Sequence, residues 1–577
     1  MTQETNSGTD FLQNAEQFMQ AGQNMLQQFM GAVGQMSSMN NANVQIPQEA
    51  QLVTNLQREY ALKQMELWQS IMQKQQGIEP TFKVAGADKD RRFQGEAWHK
   101  NPYYEYLYQS YLLNVEMLNR LVESVPTEDE RAREKMRFLA TQIGDAFSPS
   151  NFAATNPEFI QKAMETRGQS ITDGINNLLG DMQKGRISMT DESAFEIGKN
   201  LATTEGSVIF QNEVMQLIQY KPLTEKVGAR PLLVVPPSIN KFYILDLQPD
   251  NSLVRYLIEQ GNTVFLVSWI NPTDPQCKLT WDDFIEKGII DTMHIVQNVT
   301  GAKDINVLGF CVGGTMLCTA LAVLAARGEK IAHSLTLLTT LLDFSDTGDI
   351  GLMIDANFLA TRDATIGKGG LLPARDLQNT FSFLKPNDLV WSYVVNNYLK
   401  GEKPAAFDIL YWNSDSTNMA GPFGCWYIRN TYYDNNLRVP GKVTVCGEKV
   451  DLGKIDCPTY LFAAKEDHIV FWTSAYQSTR ILSGNMRFVL GASGHVAGTV
   501  NPAKKDKRSY WTNENLNEDA QSWYEGASEH PGSWWKDWAA WNKPLQGKEQ
   551  TPPKTLGNAQ YKPLEAAPGS YVKVRAV

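Results

Sequence analysis

Six short, continuous apolar runs in the second half of the chain constrain its fold most strongly. They are rich in Val, Leu, Thr and Phe, alternate with segments of helical spacing, and read in order PLLVVPP, TVFLVSW, INVLGF, LTLLTT, TYLFAA and MRFVL. Continuous apolar runs of this length are typical of strands buried on both faces. Because such strands alternate here with helices, the sequence predicts a parallel, doubly wound α/β sheet that begins near Pro231.

The remaining segments indicate how the chain is organised around this sheet. Residues 1–205 show helical periodicity broken by Pro, Ser and Asn, which predicts an all-helical N-terminal region before an α/β domain of residues 206–577. The gap between the fourth and fifth runs is far longer than one crossover requires, so we expect a cap insertion at about 341–457. Beyond about Leu545 the sequence becomes rich in Pro and Gly, which predicts an extended surface tail.

The first residues of the chain carry a second periodic pattern. Apolar side chains between Phe11 and Val33 recur at steps of three and four, which predicts an amphipathic helix in residues 1–39. Such a helix either docks onto the rest of the protein or binds a partner or an apolar surface. Its polar face carries Gln in place of Lys, which argues against binding to anionic lipid.

Charge, cysteine usage and hydropathy exclude several classes of protein. The net charge is −10 and no basic stripe is present, which argues against nucleic acid as a partner. The six cysteines are scattered without a CxxC pair, so we expect reduced thiols and no disulfide or zinc framework. The start of the chain lacks the pattern of a secretory signal and no apolar run reaches about 18 residues, so we expect no membrane span.

The stretch NVLGFCVGGT, residues 306–315, has the pattern of a nucleophile turn in an α/β hydrolase. A predicted strand leads into it, a helix with an apolar stripe follows, and Cys311 stands where a serine is usual. Gly309 and Gly313 lie two residues on either side, where a side chain would collide in so tight a turn. The N-terminus of the helix favours a thiolate. A buried structural cysteine is the alternative, but the coincidence of strand, glycines and helix favours a nucleophile.

The partners of a nucleophile in this fold follow in the order acid, then histidine. Asp467 follows the strand predicted from TYLFAA, where the orienting carboxylate belongs, and His495 lies in the small-residue loop after MRFVL. We therefore predict that Asp467 and His495 complete a triad with Cys311. His468 adjoins the acid and is interpreted as a structural hydrogen-bonding residue.

Attack on an acyl carbon also requires backbone donors for the oxyanion. One is expected to be the amide of Val312, directly after the nucleophile, and the other should come from the loop after the first central strand, VVPPSINKFYILDL. The amides of Ser238 and Ile239 both fit the second position, and we take the amide of Ile239 as the candidate donor. No ligand cluster or phosphate loop is evident, so we expect no metal and no organic cofactor.

The sulfur itself favours transfer over hydrolysis. A thiolate is more nucleophilic than an alcohol and forms a thioester, which is as energy-rich as an acyl-CoA. The acyl group can then pass to a hydroxyl without being stranded as a stable ester.

Several ordered motifs closely resemble those of the class I polyhydroxyalkanoate synthases: NVLGFCVGGT, PPSINKFYILDLQP, VSWINP, FLKPNDLVW, WNSDSTNM, EDHIV, GASGHVAG and KRSYW. The resemblance runs from about Lys221 to the C-terminus. It implies Cys311 as nucleophile, His495 as general base and Asp467 as triad acid. It also implies polymerisation of (R)-3-hydroxyacyl-CoA, with short acyl groups such as 3-hydroxybutyryl, into a polyester that accumulates as cytoplasmic granules, and with release of CoA.

The same resemblance implies the binding partners: the acyl-CoA, the growing polyester and granule surface, granule-associated proteins and a second copy of the chain in a homodimer. Either His495 or Asp467 would activate the 3-hydroxyl. Two other functions fit parts of the sequence. A cysteine-dependent thioesterase or polyester depolymerase would use the same triad with water as acceptor, and a noncatalytic granule-coating protein would use the amphipathic N-terminus. The intact set of Cys, Asp and His favours an enzyme.

Overall fold

The computed structural model describes residues 50–125, 127–516 and 519–576, so the amphipathic segment predicted in residues 1–39 lies outside them. The chain divides into two compact units. One, the helical unit, comprises the described part of Met1–Thr190 together with Phe381–Ala405; the other, the sheet unit, comprises Asp191–Thr380 and Ala406–Val577. The boundary predicted after residue 205 lies at the start of the first long strand, Gly206–Gln211. The boundary between the two compact units lies earlier in the chain, after Thr190.

The helical unit is built from capped helices around an aromatic core. Asn101 and Asn156 each accept a hydrogen bond from an amide of the helix that follows, and each precedes a proline at the first helical position. Phe93 stacks on Tyr108 and meets Trp98 edge to face in the buried core. The helices span Ala50–Gln75, Ala97–Lys100, Pro102–Ser124, Glu130–Ala146, Pro157–Glu165 and Gln169–Lys184, with π-helical turns at Asn387–Trp391 and Val394–Leu399.

The sheet unit contains one large sheet whose strands lie in the order β10-β9-β8-β7-β6-β5-β3-β4-β2-β1-β11. In chain order the eleven strands are β1 (Gly206–Gln211), β2 (Met215–Tyr220), β3 (Leu232–Val235), β4 (Val264–Trp269), β5 (Ile305–Phe310), β6 (Ala332–Leu338), β7 (Thr459–Ala464), β8 (Met486–Gly491), β9 (Ser509–Thr512), β10 (Ser528–Pro531) and β11 (Glu565–Ala566). The six predicted runs form β3 to β8, which pair in parallel. The sheet is mixed rather than wholly parallel, because β1, β2, β9, β10 and β11 pair antiparallel at its two edges.

The central strands are buried on both faces, which explains their continuous apolar sequences. Along β5, Ile305 and Val307 belong to one apolar cluster and Leu308 and Phe310 to the other. Helices of the sheet unit span Leu253–Glu259, Trp281–Asp283 with the π-helical Phe284–Ile290, Asp291–Thr300, Val312–Ala326, Trp472–Tyr476, Ser478–Ile481, His495–Thr499, Ala520–Glu525 and Trp534–Asn542. No helix among the described residues is long and apolar enough to cross a membrane.

The predicted insertion lies between β6 and β7 and is mainly helical. Its helices are Gly348–Leu352, Ala356–Thr365, Ala374–Phe383, Asp408–Asn413 and Gly421–Ile428, followed by a π-helical turn at Arg429–Tyr433. Within it, Phe381–Ala405 groups with the helical unit.

The C-terminal tail does more than lie on the surface. Glu549–Gln550 pairs with Val227–Gly228, and β11 adds an edge strand beside β1. Val572 is buried, and Tyr571 donates a hydrogen bond to the Asn212 carbonyl at 2.8 Å. The tail therefore forms part of the sheet edge.

Candidate active site

Cys311 occupies a strained turn between β5 and the helix Val312–Ala326. Its φ of 52° and ψ of −129° place a non-glycine residue in the left-handed half of the backbone map, a conformation maintained only where the surrounding structure fixes it. Its amide donates to the Leu338 carbonyl at 2.9 Å, and its carbonyl accepts from the Gly314 amide at 2.9 Å and the Thr340 hydroxyl at 3.2 Å. The turn holds the thiol, which is only partly buried, at the carboxyl edge of the sheet.

The two glycines beside Cys311 are required by close packing. A Cβ atom on Gly309 would lie 2.4 Å from the Cα of Gly314, and one on Gly313 would lie 2.3 Å from the carbonyl oxygen of Val235. Both contacts are with backbone, which cannot rotate out of the way. The predicted reason for the glycines therefore matches the observed geometry.

We expect Gly313→Ala to lower the free energy of unfolding of the sheet unit by about 3 kcal/mol, because the added methyl group overpacks the turn against β3. The measurement is the thermal unfolding midpoint of the full chain. Gly180→Ala is the control: no atom lies within 4 Å of a Cβ at that helical position. There the alanine should raise the midpoint slightly. A midpoint of Gly313→Ala equal to that of the parent would contradict the packing argument.

His495 and Asp467 are brought together, as the sequence order suggests. The Nδ1 of His495 lies 2.6 Å from Oδ2 of Asp467, and both side chains are buried. The other carboxylate oxygen, Oδ1, accepts hydrogen bonds from the amides of Ile469 at 2.8 Å and Val470 at 2.9 Å. Asp467 is therefore fixed in orientation and in turn fixes the imidazole, leaving Nε2 for the thiol.

Two further contacts hold the histidine ring in place. Phe310, the last residue of β5, stacks on the His495 ring with centroids 5.5 Å apart. The short helix His495–Thr499 is anchored by indole N–H groups: Trp534 donates to the Gly498 carbonyl and Trp535 to the Thr499 carbonyl, each at 2.9 Å. This positioning role of Trp534 and Trp535 was not predicted from the sequence.

Electrostatics at the site favour a charged imidazole. Burial opposes the charge, but the attraction of Asp467 and of the Cys311 thiolate, each of which accepts a hydrogen bond from the imidazolium, outweighs burial and raises the pKa of His495 to about 10. The effect of Cys311 on this pKa shows that the thiol and imidazole are close enough to interact. A proton leaving the thiol can therefore reside on His495.

We expect His495 to titrate near 10, far above the ordinary histidine pKa of 6.5. This interaction stabilises the fold fully below pH 6.5, and the stabilisation is lost as pH rises through about 10. In Cys311→Ala the pKa should fall, since the attraction of the thiolate is gone. The measurement is an NMR titration of histidines labelled at the ring nitrogens, with the exposed His294 as the internal reference. An unchanged His495 pKa in Cys311→Ala would contradict the proposed coupling.

The predicted oxyanion donors lie on two neighbouring segments. The amide of Val312 is the first of its helix and has no partner within the helix. Ile239 and Ser238 lie in the loop after β3, which the indole N–H of Trp269 anchors by donating to the Pro236 carbonyl at 2.8 Å. This gives Trp269 a positioning role that the sequence alone did not supply. The use of Val312 and Ile239 as oxyanion donors stays a prediction.

Two tyrosines of the insertion also face the site, and the sequence analysis did not identify them. Burial raises the pKa of both Tyr427 and Tyr432, and the negative charge of the Cys311 thiolate adds to the rise. Their rings meet edge to face with centroids 5.8 Å apart. The sequence of the insertion does not reveal which of its aromatic side chains lie near the thiol.

Across residues 50–125, 127–516 and 519–576, no group of three or more His, Cys, Asp or Glu side chains is arranged to hold a metal ion.

Two family models match this chain. A family model described as the N-terminus of poly-beta-hydroxybutyrate polymerase (PhaC) matches residues 89–257, and one described as the alpha/beta hydrolase fold matches residues 231–502. Among solved structures, a monoacylglycerol lipase from Paleococcus ferrophilus resembles the chain with a TM-score of 0.29 and 15% identity, over 47% of this chain and 88% of that one. The family match and the sheet order confirm the predicted α/β-hydrolase fold.

Relatives match nearly the full chain. The poly(3-hydroxyalkanoate) polymerase subunit PhaC of Cupriavidus necator is 53% identical over 527 residues, which cover 90% of this chain and 88% of that protein. Poly(3-hydroxyalkanoate) polymerase 1 of Ectopseudomonas oleovorans is 38% identical over 497 residues, covering 85% and 88%.

Proposed function

The chain belongs to the poly(3-hydroxyalkanoate) polymerase family, and we propose that it converts (R)-3-hydroxyacyl-CoA into polyester through an acyl-enzyme on Cys311. The identity of 53% over 527 residues to the Cupriavidus necator polymerase carries the proposal. The acylation chemistry follows from the site: a thiol on a strained turn, an imidazole that interacts with it, and a buried carboxylate that orients the imidazole.

In the first step, His495 takes the proton of the Cys311 thiol and the thiolate attacks the carbonyl carbon of the acyl-CoA thioester. The amides of Val312 and Ile239 donate to the oxyanion of the tetrahedral intermediate. The bond between the carbonyl carbon and the CoA sulfur then breaks, and the imidazolium returns its proton to the departing thiolate. The products are free CoA and a thioester on Cys311. CoA enters as part of the substrate, so the proposed reaction uses no cofactor.

In the second step, the 3-hydroxyl of another acyl unit attacks an enzyme-bound thioester and forms the ester bond. Both oxygens of Asp467 are engaged, one with His495 and the other with the amides of Ile469 and Val470. These contacts favour His495 over Asp467 as the base that removes the hydroxyl proton. The proton then passes to the sulfur that leaves.

The proposed substrate range and cellular setting rest on the family to which the chain belongs. We propose short acyl groups such as 3-hydroxybutyryl, which agrees with the name of the family model that matches residues 89–257. The enzyme would act in the cytoplasm, where CoA thioesters are its substrates. Its insoluble product would keep it at the surface of the polyester granules. A homodimer and granule-associated proteins complete the proposed set of partners.

The test is an assay of purified protein with 3-hydroxybutyryl-CoA, in which a thiol reagent follows free CoA and chromatography identifies the acyl product. Ester-linked oligomer or insoluble polyester alongside CoA supports the polymerase. Free 3-hydroxybutyrate alone would identify a thioesterase and overturn the proposal. No CoA release at all would leave the granule-coating alternative in its place.

A further inference from the structure

The peptide unit between Ser238 and Ile239 carries the N–H that we propose as the second oxyanion donor. In a trans peptide the carbonyl and the N–H lie in one plane and point in opposite directions. A contact that fixes the Ser238 carbonyl therefore also fixes the direction of the Ile239 amide. Among the described residues, no acceptor takes the hydrogen of the Ile239 amide, so this N–H is available to a ligand.

Thr417, in the insertion, makes such a contact. Its hydroxyl donates to the Ser238 carbonyl at 3.2 Å, and its side chain is only 1% exposed. Directly before it, Ser416 forms an isolated antiparallel bridge with Asn240. The insertion therefore contacts the backbone of the loop after β3 on both sides of Ile239.

Thr417 is itself held in place by its neighbour, Asn418. The backbone amide of Asn418 donates to the side-chain oxygen of Asn271 at 2.9 Å, and its side-chain amide donates to the Pro272 carbonyl at 3.1 Å. Its side-chain oxygen accepts from the Ala374 amide at 2.9 Å. Since Asn271 and Pro272 follow directly after β4 and Ile270, the position of Thr417 is set by the central sheet. These contacts bring together PPSINKFYILDLQP, VSWINP and WNSDSTNM.

Lys241 holds the same loop from a second direction. Its side chain is 2% exposed, its ammonium donates to the Val574 carbonyl, and its own carbonyl accepts from the indole N–H of Trp412 at 2.7 Å. Burial lowers the pKa of Lys241 to about 8, although the attraction of Asp415 opposes the fall. A buried ammonium is costly, and here it ties the loop to the C-terminal tail.

We propose that Thr417 and Lys241 are positioning residues that aim the Ile239 amide at the oxyanion of the tetrahedral intermediate; this inference rests on the proposed function. An oxyanion donor is effective only when its direction is fixed before the reaction. Without the Thr417 hydroxyl, the peptide between Ser238 and Ile239 can rotate, and its N–H loses its aim. The expected defect is selective: reactions that develop an oxyanion slow down, whereas other reactions of the Cys311 thiol do not.

The first test compares two substitutions of one residue. Thr417→Val keeps the shape of the side chain but removes its hydroxyl, and we expect kcat for CoA release from 3-hydroxybutyryl-CoA to fall about tenfold or more. KM should stay within about twofold, because the lost interaction acts in the transition state. Thr417→Ser is the control: it retains the donor, and its kcat should stay within about twofold of the parent.

The second test follows alkylation of Cys311 by iodoacetamide, with the modified peptide quantified by mass spectrometry. In this reaction the thiolate forms a bond to the methylene carbon as iodide leaves, so no oxyanion develops. The alkylation rate of Thr417→Val should therefore stay within about twofold of the parent. Loss of both alkylation and CoA release would indicate general disruption of the site and overturn the proposal.

Lys241→Met tests the second contact with the same two reactions. We expect CoA release to fall about tenfold or more and alkylation of Cys311 to stay within about twofold. Lys400→Met is the control, since it removes a partly buried lysine, paired with Glu158 in the helical unit, and should leave both rates unchanged. CoA release by Lys241→Met equal to that of the parent would contradict the role of Lys241. Thr417→Val leaves this lysine in place and keeps the proposal testable if Lys241→Met does not fold.

The outcomes separate this inference from the proposed function. No CoA release by the parent chain would refute the proposed function and, with it, the inference. Normal CoA release by both the parent and Thr417→Val would refute the inference alone, and would leave the Ser238 amide, in the preceding peptide, as the donor.

Discussion

Replacement of Cys311 by Ala is expected to reduce CoA release from 3-hydroxybutyryl-CoA by at least about 10³-fold, because the variant cannot form the acyl-enzyme. The strained turn tolerates Ala no worse than Cys, so the thermal unfolding midpoint should change little. The measurement is the initial rate with a thiol reagent at saturating substrate.

Cys277→Ala is the control for this substitution, since Cys277 is another partly buried free cysteine outside the site. Its rate should equal that of the parent. A Cys311→Ala rate within tenfold of the parent would show that another group attacks the thioester, and the site assignment would be lost.

Asp467→Asn is expected to lower the rate by about 10³ to 10⁴-fold with little change in KM, because the amide no longer stabilises the imidazolium or selects its tautomer. The pKa of His495 should fall as well, since the attraction of Asp467 is among the causes that raise it. The unfolding midpoint should fall as well, because the interaction that raises this pKa also stabilises the fold, so the variant is assayed at a temperature where it remains folded.

The control for Asp467→Asn is Glu466→Gln, which removes a negative charge from the adjacent, exposed residue. The rate and the His495 pKa should both match those of the parent. Loss of activity in Asp467→Asn with an unchanged His495 pKa would contradict the orienting role and point to general misplacement of the loop.

The centre of the fold and the proposed triad could be predicted because their signals are local. Strands buried on both faces, β3 to β8, require continuous apolar residues, so the apolar runs in the sequence located them. The turn at Cys311 needs glycine on either side for steric reasons that hold in any sequence. The order of acid and histidine along the chain then limited the choice to residues after β7 and β8, where Asp467 and His495 lie.

The sheet edges could not be predicted because they depend on contacts between distant residues. Strand β2 contains the buried Gln216 and Gln219, whose polar side chains break the apolar pattern. Gln216 is satisfied by Glu565 and Ser570 of the tail, and Gln219 accepts from the Gly557 amide at 2.6 Å. A buried glutamine destabilises a strand unless its side chain finds hydrogen-bond partners. The sequence around β2 does not indicate that residues of the distant tail supply them.

The same limit explains the residues that surround the proposed triad. Phe310 is adjacent to Cys311 in sequence, yet its stacking on His495 arises only in the finished sheet, where two strands separate β5 from β8. Tyr427 and Tyr432 belong to the insertion, and its sequence does not indicate that they lie near enough to Cys311 for its charge to affect their pKa values.

The most direct test of the account is to trap the acyl-enzyme. Purified protein is mixed briefly with 3-hydroxybutyryl-CoA, quenched in acid and digested, and the modified peptide is identified by mass spectrometry. We predict an acyl group on the peptide that contains Cys311, released by neutral hydroxylamine as a thioester should be. An acyl group on another residue, or an unmodified Cys311 while CoA is released, would contradict the account.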